Sequence, residues 1–266
     1  MEIWASANQK GGVGKTTTVV SLAGLLAEQG KRVLMVDLDP HGSLSAYFAL
    51  NPDYTPASVT DLFELSGNIP PHPRLVSRTA IDNLFVLPAA TQQATLDRRL
   101  ANKPGMGLVL KRTLQAWDKQ FDHVLLDCPP TLGVLMINAL ASCQHVLIPV
   151  QTDFLALQGL KRMRNTLRMV GDSIGYRSAH TIIPTFYDHR TRAARFALQN
   201  LWQDFAENLW PDVIPIDTKF RDASRAGLPL SRLSPACRGI AAYTQLLRFL
   251  ESRFSTNPTN RYQEAV

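Results

Sequence analysis

Eight residues, Lys10-Gly11-Gly12-Val13-Gly14-Lys15-Thr16-Thr17, constrain this chain more than any other stretch. An apolar run from Ile3 to Ala7 precedes them and reads as a strand. Thr18 to Ala27 follows with helical spacing and no proline. Strand, glycine-rich turn and helix, in that order, form the context a phosphate-cradling loop requires. Glycine reaches backbone angles closed to residues with a β-carbon, so Gly11, Gly12 and Gly14 let successive N–H groups converge on one anion. The helix start adds unpaired donors and the positive end of its dipole. The spacing predicts that Lys15 reaches the β- and γ-phosphates of a nucleotide and that the Thr16 hydroxyl holds Mg²⁺. Val13 and Thr17 belong to the same cradle. A glycine hairpin ahead of an ordinary helix is the plainer alternative, and the full context argues against it.

Two more apolar runs end in carboxylates. Val33-Leu34-Met35-Val36-Asp37 reads as a buried parallel strand with its carboxyl end at a site. Beyond it, Leu38 to Ser43 resembles the switch I turn of P-loop ATPases, which implies that Pro40 and Gly42 hold Asp39 near the γ-phosphate. Asp39 is the candidate to orient an attacking water and to bind a water of the Mg²⁺ shell. His41, in the same turn, reads as a hydrogen-bonding loop residue rather than a catalyst. Val124-Leu125-Leu126-Asp127 has the form of a Walker B strand, whose carboxylate holds Mg²⁺ or a water on it. A helix N-cap is the other reading of Asp127. Pro129 and Pro130 stiffen the turn that follows, so loss of a γ-phosphate could shift it as a unit.

Elsewhere the runs 84–89, 145–150 and 181–186 read as strands, with amphipathic helices between them. Short helical pieces are expected near 44–48 and 59–63, and a proline-rich loop at 69–73. Asp153 reads as the N-cap of a helix from about 154 to 170. Its cations Lys161, Arg162, Arg164 and Arg168 cover more than one face and are read as solvated surface or as a binding stripe. The last helix, about 238–254, carries Tyr243, Leu246, Leu247, Leu250 and Phe254 on one face, suited to packing on a sheet; a membrane-targeting helix is the alternative. The alternation predicts an α/β fold, a doubly wound, mostly parallel sheet with helices on both faces and the site at the strands' carboxyl ends.

The 266 residues suffice for one α/β domain, expected over 1–254, followed by a polar, flexible tail at 255–266. No run of about 18 apolar residues suggests a membrane span. The start of the chain goes straight into a strand, which predicts no secretory signal. Cys128, Cys143 and Cys237 fit neither a disulfide framework nor zinc spacing, and a reducing cytoplasm is the simple inference. Residues 1–150 hold 12 Lys+Arg against 12 Asp+Glu, whereas 151–266 hold 16 against 10, so the whole +6 excess lies in the second part. That asymmetry suggests an acidic partner, nucleic acid first, or arginines that simply solvate helix faces.

With its second lysine at the first position, Lys10 to Thr17 resembles the deviant Walker A motif, KGGxGKT, of the ParA/MinD family of P-loop ATPases. Asp37 to Ser43 resembles that family's switch I, with His41 and Ser43 replacing the usual glutamine and asparagine, and Asp127 to Pro130 its switch II. The likeness covers about residues 2–254. It implies an ATP- and Mg²⁺-dependent, slow ATPase that forms a sandwich homodimer, with Lys10 reaching the phosphates held by the partner chain. A solvated lysine assisting its own subunit is the alternative for Lys10. Ile214 to Ser224 resembles the segment lining the adenine pocket, which puts Pro215 at the base. Lys219, Arg221 and Arg225 fall where ParA-like proteins place residues that touch DNA, by contacts that are sequence-independent and salt-sensitive. The runs 37–43, 132–140 and 214–218 look most like ParC-type homologues, which implies polar chemotaxis arrays as cargo and an array protein as regulator. Partitioning of chromosomes or plasmids on nonspecific DNA is the alternative cargo. A metabolic P-loop ligase or kinase is the competing reading.

Overall fold

The computed structural model describes residues 1–65, 75–100, 103, 105–154 and 156–255. The expected loop at 69–73 and the tail beyond 255 lie outside the described residues.

Seven strands form one sheet: β1 (Glu2–Ser6), β2 (Val33–Asp37), β3 (Ser77–Arg78), β4 (Leu84–Leu87), β5 (His123–Asp127), β6 (His145–Gln151) and β7 (Ala179–Thr185). Their order is β3-β4-β2-β5-β1-β6-β7. All pairs are parallel except β3 with β4. Around them lie α1 (Lys15–Glu28), α2 (Ser43–Tyr47), α3 (Val59–Glu64), α4 (Leu96–Leu100), α5 (Val109–Ala116) and α6 (Val134–Ser142). The second part adds α7 (Ala156–Ile174), α8 (Arg192–Phe205), α9 (Lys219–Ala226), α10 (Leu230–Leu233) and α11 (Arg238–Ser255).

Every residue of β2 is buried because each face of the sheet is covered. Leu34 and Val36 join a core with Leu110, Leu114, Leu140 and Met163 from α5, α6 and α7. Val33 and Met35 point the other way, into a core with Val19, Leu22 and Leu26 of α1 and Tyr243 and Leu246 of α11. Burying each such side chain contributes about 1.5–3 kcal/mol. The apolar face of α11 therefore packs on the sheet, as its spacing predicted. No helix of the described residues is long and apolar enough to cross a membrane.

Helix ends shift slightly from expectation. α7 runs to Ile174, and α8 begins at Arg192 with the Thr191 hydroxyl accepting from the Ala194 N–H. The antiparallel edge β3 was not foreseen, since two polar residues carry no alternation.

Candidate functional site

The phosphate loop leaves the carboxyl end of β1, between β5 and β6 in the sheet. Gly12 and Gly14 take left-handed angles, φ 72° and 96°, and Gly14 is the N-cap of α1. A β-carbon at Gly11 or Gly12 would meet nothing within 4 Å. The loop's frame is pinned from several directions. Asn8 Nδ2 donates to the Pro149 carbonyl at 2.8 Å, Gln9 Nε2 to Thr166 Oγ1 at 2.7 Å, and Thr185 Oγ1 to the Val13 carbonyl at 2.9 Å. Lys15, 8% exposed, lays its ammonium across the loop, 3.3 Å from the Lys10 carbonyl. Such restraint holds the donors ready for an anion without reorganisation.

The sheet's register puts Asp37 directly beside Asp127. Thr16 Oγ1 donates to Asp127 Oδ2 at 2.6 Å, while Asp127 Oδ1 is buried without a hydrogen-bond partner. Burial first, then the Asp37 charge, raises the Asp127 carboxyl well above the usual carboxylate range. Asp37 is also pushed up, to about 6, mainly by burial, even though the N–H and hydroxyl of Ser45 both donate to it. A buried, bare carboxylate oxygen beside a threonine hydroxyl and a lysine is a hard-oxygen environment that fits Mg²⁺ and phosphate. The N-cap reading of Asp127 is displaced by its bond to Thr16.

Asp39 faces its own turn: its Oδ1 accepts from the His41 N–H at 3.0 Å and lies 2.9 Å from the His41 ring Nδ1. His41 thus acts as the loop residue its setting suggested. The Asp153 carboxylate, read from the sequence as a helix N-cap, forms an ion pair with the Lys10 ammonium.

Next to the loop lies a cavity of about 430 Å³, bounded by Gly14, Thr17, Phe186, Pro215, Tyr243 and Arg221. Pro215 is brought there by a parallel bridge to Tyr187. Phe186 holds φ 52°, a strained angle for a bulky residue, and lies against Gly14. Sequence reasoning missed Phe186, Thr185 and Ser45 as site residues; Thr185 ends the final strand and Phe186 follows it, and only the carboxyl-end rule could have pointed to them. The three candidate DNA contacts, Lys219, Arg221 and Arg225, are all exposed on α9. Lys219 pairs with Asp222 at 3.3 Å, Arg221 joins the cavity wall, and Arg225 is exposed.

Residues 1–178 match the family model described as "AAA domain". The chromosome-partitioning ATPase Soj of Treponema pallidum is 36% identical over 248 residues, 92% of this chain and 95% of that protein. The chromosome partitioning protein ParA of Caulobacter vibrioides is 32% identical over 256 residues, 95% of each. Among solved structures, cobyrinic acid a,c-diamide synthase from Mycobacterium smegmatis, with a bound ATP analogue and magnesium, superposes with a TM-score of 0.82. It is 32% identical and covers 97% of both chains. A phosphate loop on β1, a buried carboxylate on β5 and full-length likeness to partitioning ATPases lead to one conclusion: the chain belongs to the ParA/MinD family of P-loop ATPases.

Proposed function

We propose that this chain is an ATP-switched partitioning ATPase that binds ATP with Mg²⁺, dimerises in that state, hydrolyses the nucleotide slowly and carries DNA as cargo. The observation that carries the reading is the Thr16–Asp127 pair with its bare buried oxygen, set at the end of the glycine loop that holds Lys15. Gly11, Gly12, Val13, Gly14, Lys15, Thr16 and Thr17 cradle the phosphates, and the cavity beside Pro215 takes the base. Thr16, Asp39 and Asp127 serve the metal, which when bound supplies charge neutralisation on the phosphates. Lys15 acts in its own subunit, and Lys10, at the first position of a deviant Walker A loop, acts on the partner chain's nucleotide. Asp39 turns from His41 to orient the attacking water.

The cargo follows from the relatives. They are named for chromosome partitioning, which favours DNA over the chemotaxis arrays suggested by residues 37–43, 132–140 and 214–218. A nucleoid-associated ATPase regulated by a DNA-bound partner protein fits this reading. The decisive experiment is a pair of variants: Lys15→Ala abolishes nucleotide binding, and Asp39→Ala accumulates an ATP-loaded dimer in light scattering. A dimer that forms equally without ATP overturns the switch.

The synthase from Mycobacterium smegmatis favours a second reading, a small-molecule amide synthase. In that case an added acid substrate accelerates ATP turnover and Lys10→Ala changes little.

A further inference from the structure

A second cationic site lies at the opposite end of the sheet from the phosphate loop. A cleft of about 260 Å³ opens where α7 turns into β7, with Arg164, Arg168, Tyr176, Arg177, Ser178 and His180 in its wall. The turn is built tightly. Tyr176 N–H donates to the Gly171 carbonyl at 3.2 Å, and a β-carbon at 171 would come within 2.8 Å of the Arg177 side chain. Glycine at 171 is thus what lets Arg177 lie against the helix.

One of the three arginines in this cleft has a carboxylate partner. Arg177 takes up Asp172, the one carboxylate of α7, at 2.5 Å. Among the described residues no carboxylate pairs with Arg164 or Arg168, and the Arg164 guanidinium rests 5.7 Å from the Phe205 ring centre. Burial, and after it the Arg164 charge, holds the His180 imidazole below its ordinary value, so the cleft already resists a further proton.

Size and shape select the ligand. Small-molecule pockets run from about 300 Å³ upward, so this cleft seats a phosphate group better than a whole nucleotide. The cations continue beyond it: Lys161, outside the cleft, lies three residues before Arg164 and on the same face of α7 as Arg164 and Arg168, and all three are exposed. Seven residues of helix rise about 10 Å. Phosphates of one strand recur every 3.4 Å along a duplex axis, so the row spans about three of them. A free phosphate would leave Lys161 idle, whereas a polymer uses the whole row. The seven residues of β7 separate this end from Thr185 and the phosphate loop by roughly 20 Å. The cleft is thus clear of the nucleotide, while the row runs back along α7 towards the loop, where Thr166 accepts from Gln9.

We propose that the α7–β7 cleft and the Lys161-Arg164-Arg168 row bind the phosphate backbone of duplex nucleic acid. The surface is separate from the residues of α9, and the inference rests on the DNA-partitioning reading only for the kind of polymer.

The test is fluorescence anisotropy of the full chain, with ATP and Mg²⁺, on a labelled random-sequence duplex across a salt series. The double variant Arg164→Glu, Arg168→Glu should bind at least tenfold more weakly, and its slope of log affinity against log salt should fall by about 2, near 0.9 per lost phosphate contact. Its affinity for a fluorescent ATP analogue should stay within twofold. Unchanged DNA affinity and slope overturn the cleft while leaving a DNA-binding wild type in place. A wild type that binds ATP and dimerises yet holds no DNA overturns the DNA cargo and the cleft together. Loss confined to vesicles of anionic phospholipid, or to inorganic phosphate, also overturns it. If the double variant does not fold, Arg168→Ala at the exposed position should lower the slope by about 1, and an unaltered slope counts against the site.

Discussion

The Lys10 ammonium and the Asp153 carboxylate, 143 positions apart in the chain, form an ion pair beside the phosphate loop. Both side chains are about one-third exposed, at 35% and 33%. An ion pair so open to solvent contributes no more than about 1 kcal/mol. Lys10 is therefore held by its own subunit, but weakly enough for a triphosphate to draw it away. Asp153→Asn should cost under about 1 kcal/mol of stability and lower the ATP concentration for half-maximal dimerisation by up to about fivefold. Lys10→Ala should leave monomeric nucleotide binding intact and abolish the dimer. Light scattering across an ATP titration reads both, and an Asp153→Asn curve that needs more ATP than wild type counts against the competition.

Thr16 supplies the hydrogen bond that Asp127 receives at Oδ2, inside a region where that carboxylate's other oxygen has none. Thr16→Val keeps the shape and removes the donor. Leaving the buried group without it should cost about 1–3 kcal/mol, a fall in Tm of about 2–4 °C for each kcal/mol. Mg²⁺-dependent tightening of ADP binding should vanish as well. Thr16→Ser should restore both readings, and a valine variant that melts like wild type would show the bond to be dispensable.

Gly42 stands at φ 64°, and a β-carbon there would come within 2.3 Å of Pro52. Its N–H donates to the Asp39 carbonyl, so the same residue shapes the turn that carries Asp39. Gly42→Ala should destabilise by about 2 kcal/mol or more, conformational cost plus overpacking, and slow ATP hydrolysis with nucleotide affinity retained. Gly30→Ala is the control: φ is 80° but the space is empty, so only the conformational cost of about 1 kcal/mol applies. Equal losses for the two, measured by urea unfolding, would show that Pro52 yields.

His145 sits at the start of β6, with its Nε2 2.8 Å from Thr181 Oγ1, and burial pushes the imidazole down to about 3. A histidine whose folded value is depressed gives its full stabilisation above the unfolded value near 6.5 and loses it as pH falls towards 3. Between pH 7.5 and 5.5 that loss is about 1.4 kcal/mol. His145→Gln should reduce the slope of stability against pH by this amount, read from urea melts at the two pH values. A slope identical to wild type places the titration elsewhere.

The parallel strands were legible because a sheet covered on both faces demands unbroken apolar runs; Val33–Asp37 is such a run in its entirety. The phosphate loop was equally legible, since its glycines and Lys15 have few other uses together. What escaped was everything set by contact between distant segments. Asp153 reads locally as a cap, and only the fold brings it to Lys10. Lys219, Arg221 and Arg225 read as three alike cations, yet a carboxylate one turn away and a cavity wall give two of them different neighbours. Phe186 carries no local sign of its positive φ. The row on α7 was visible as charge, but the cleft at its end depends on Gly171 and the turn beyond it.

Thr18 and Tyr243 meet through their hydroxyls at 2.9 Å, both buried, and Tyr47 donates to the Leu228 carbonyl at 2.8 Å. These two tethers tie the helix behind the phosphate loop, and the short helix after switch I, to the last quarter of the sequence. The matched AAA segment ends at residue 178, before Tyr243, Leu246 and Leu250 have been supplied. A fragment cut at that border would bare the Val19, Leu22 and Leu26 side of α1 to water. The segment up to residue 178 and the segment after it share this core, so nucleotide occupancy should be felt as far as α11 in hydrogen exchange.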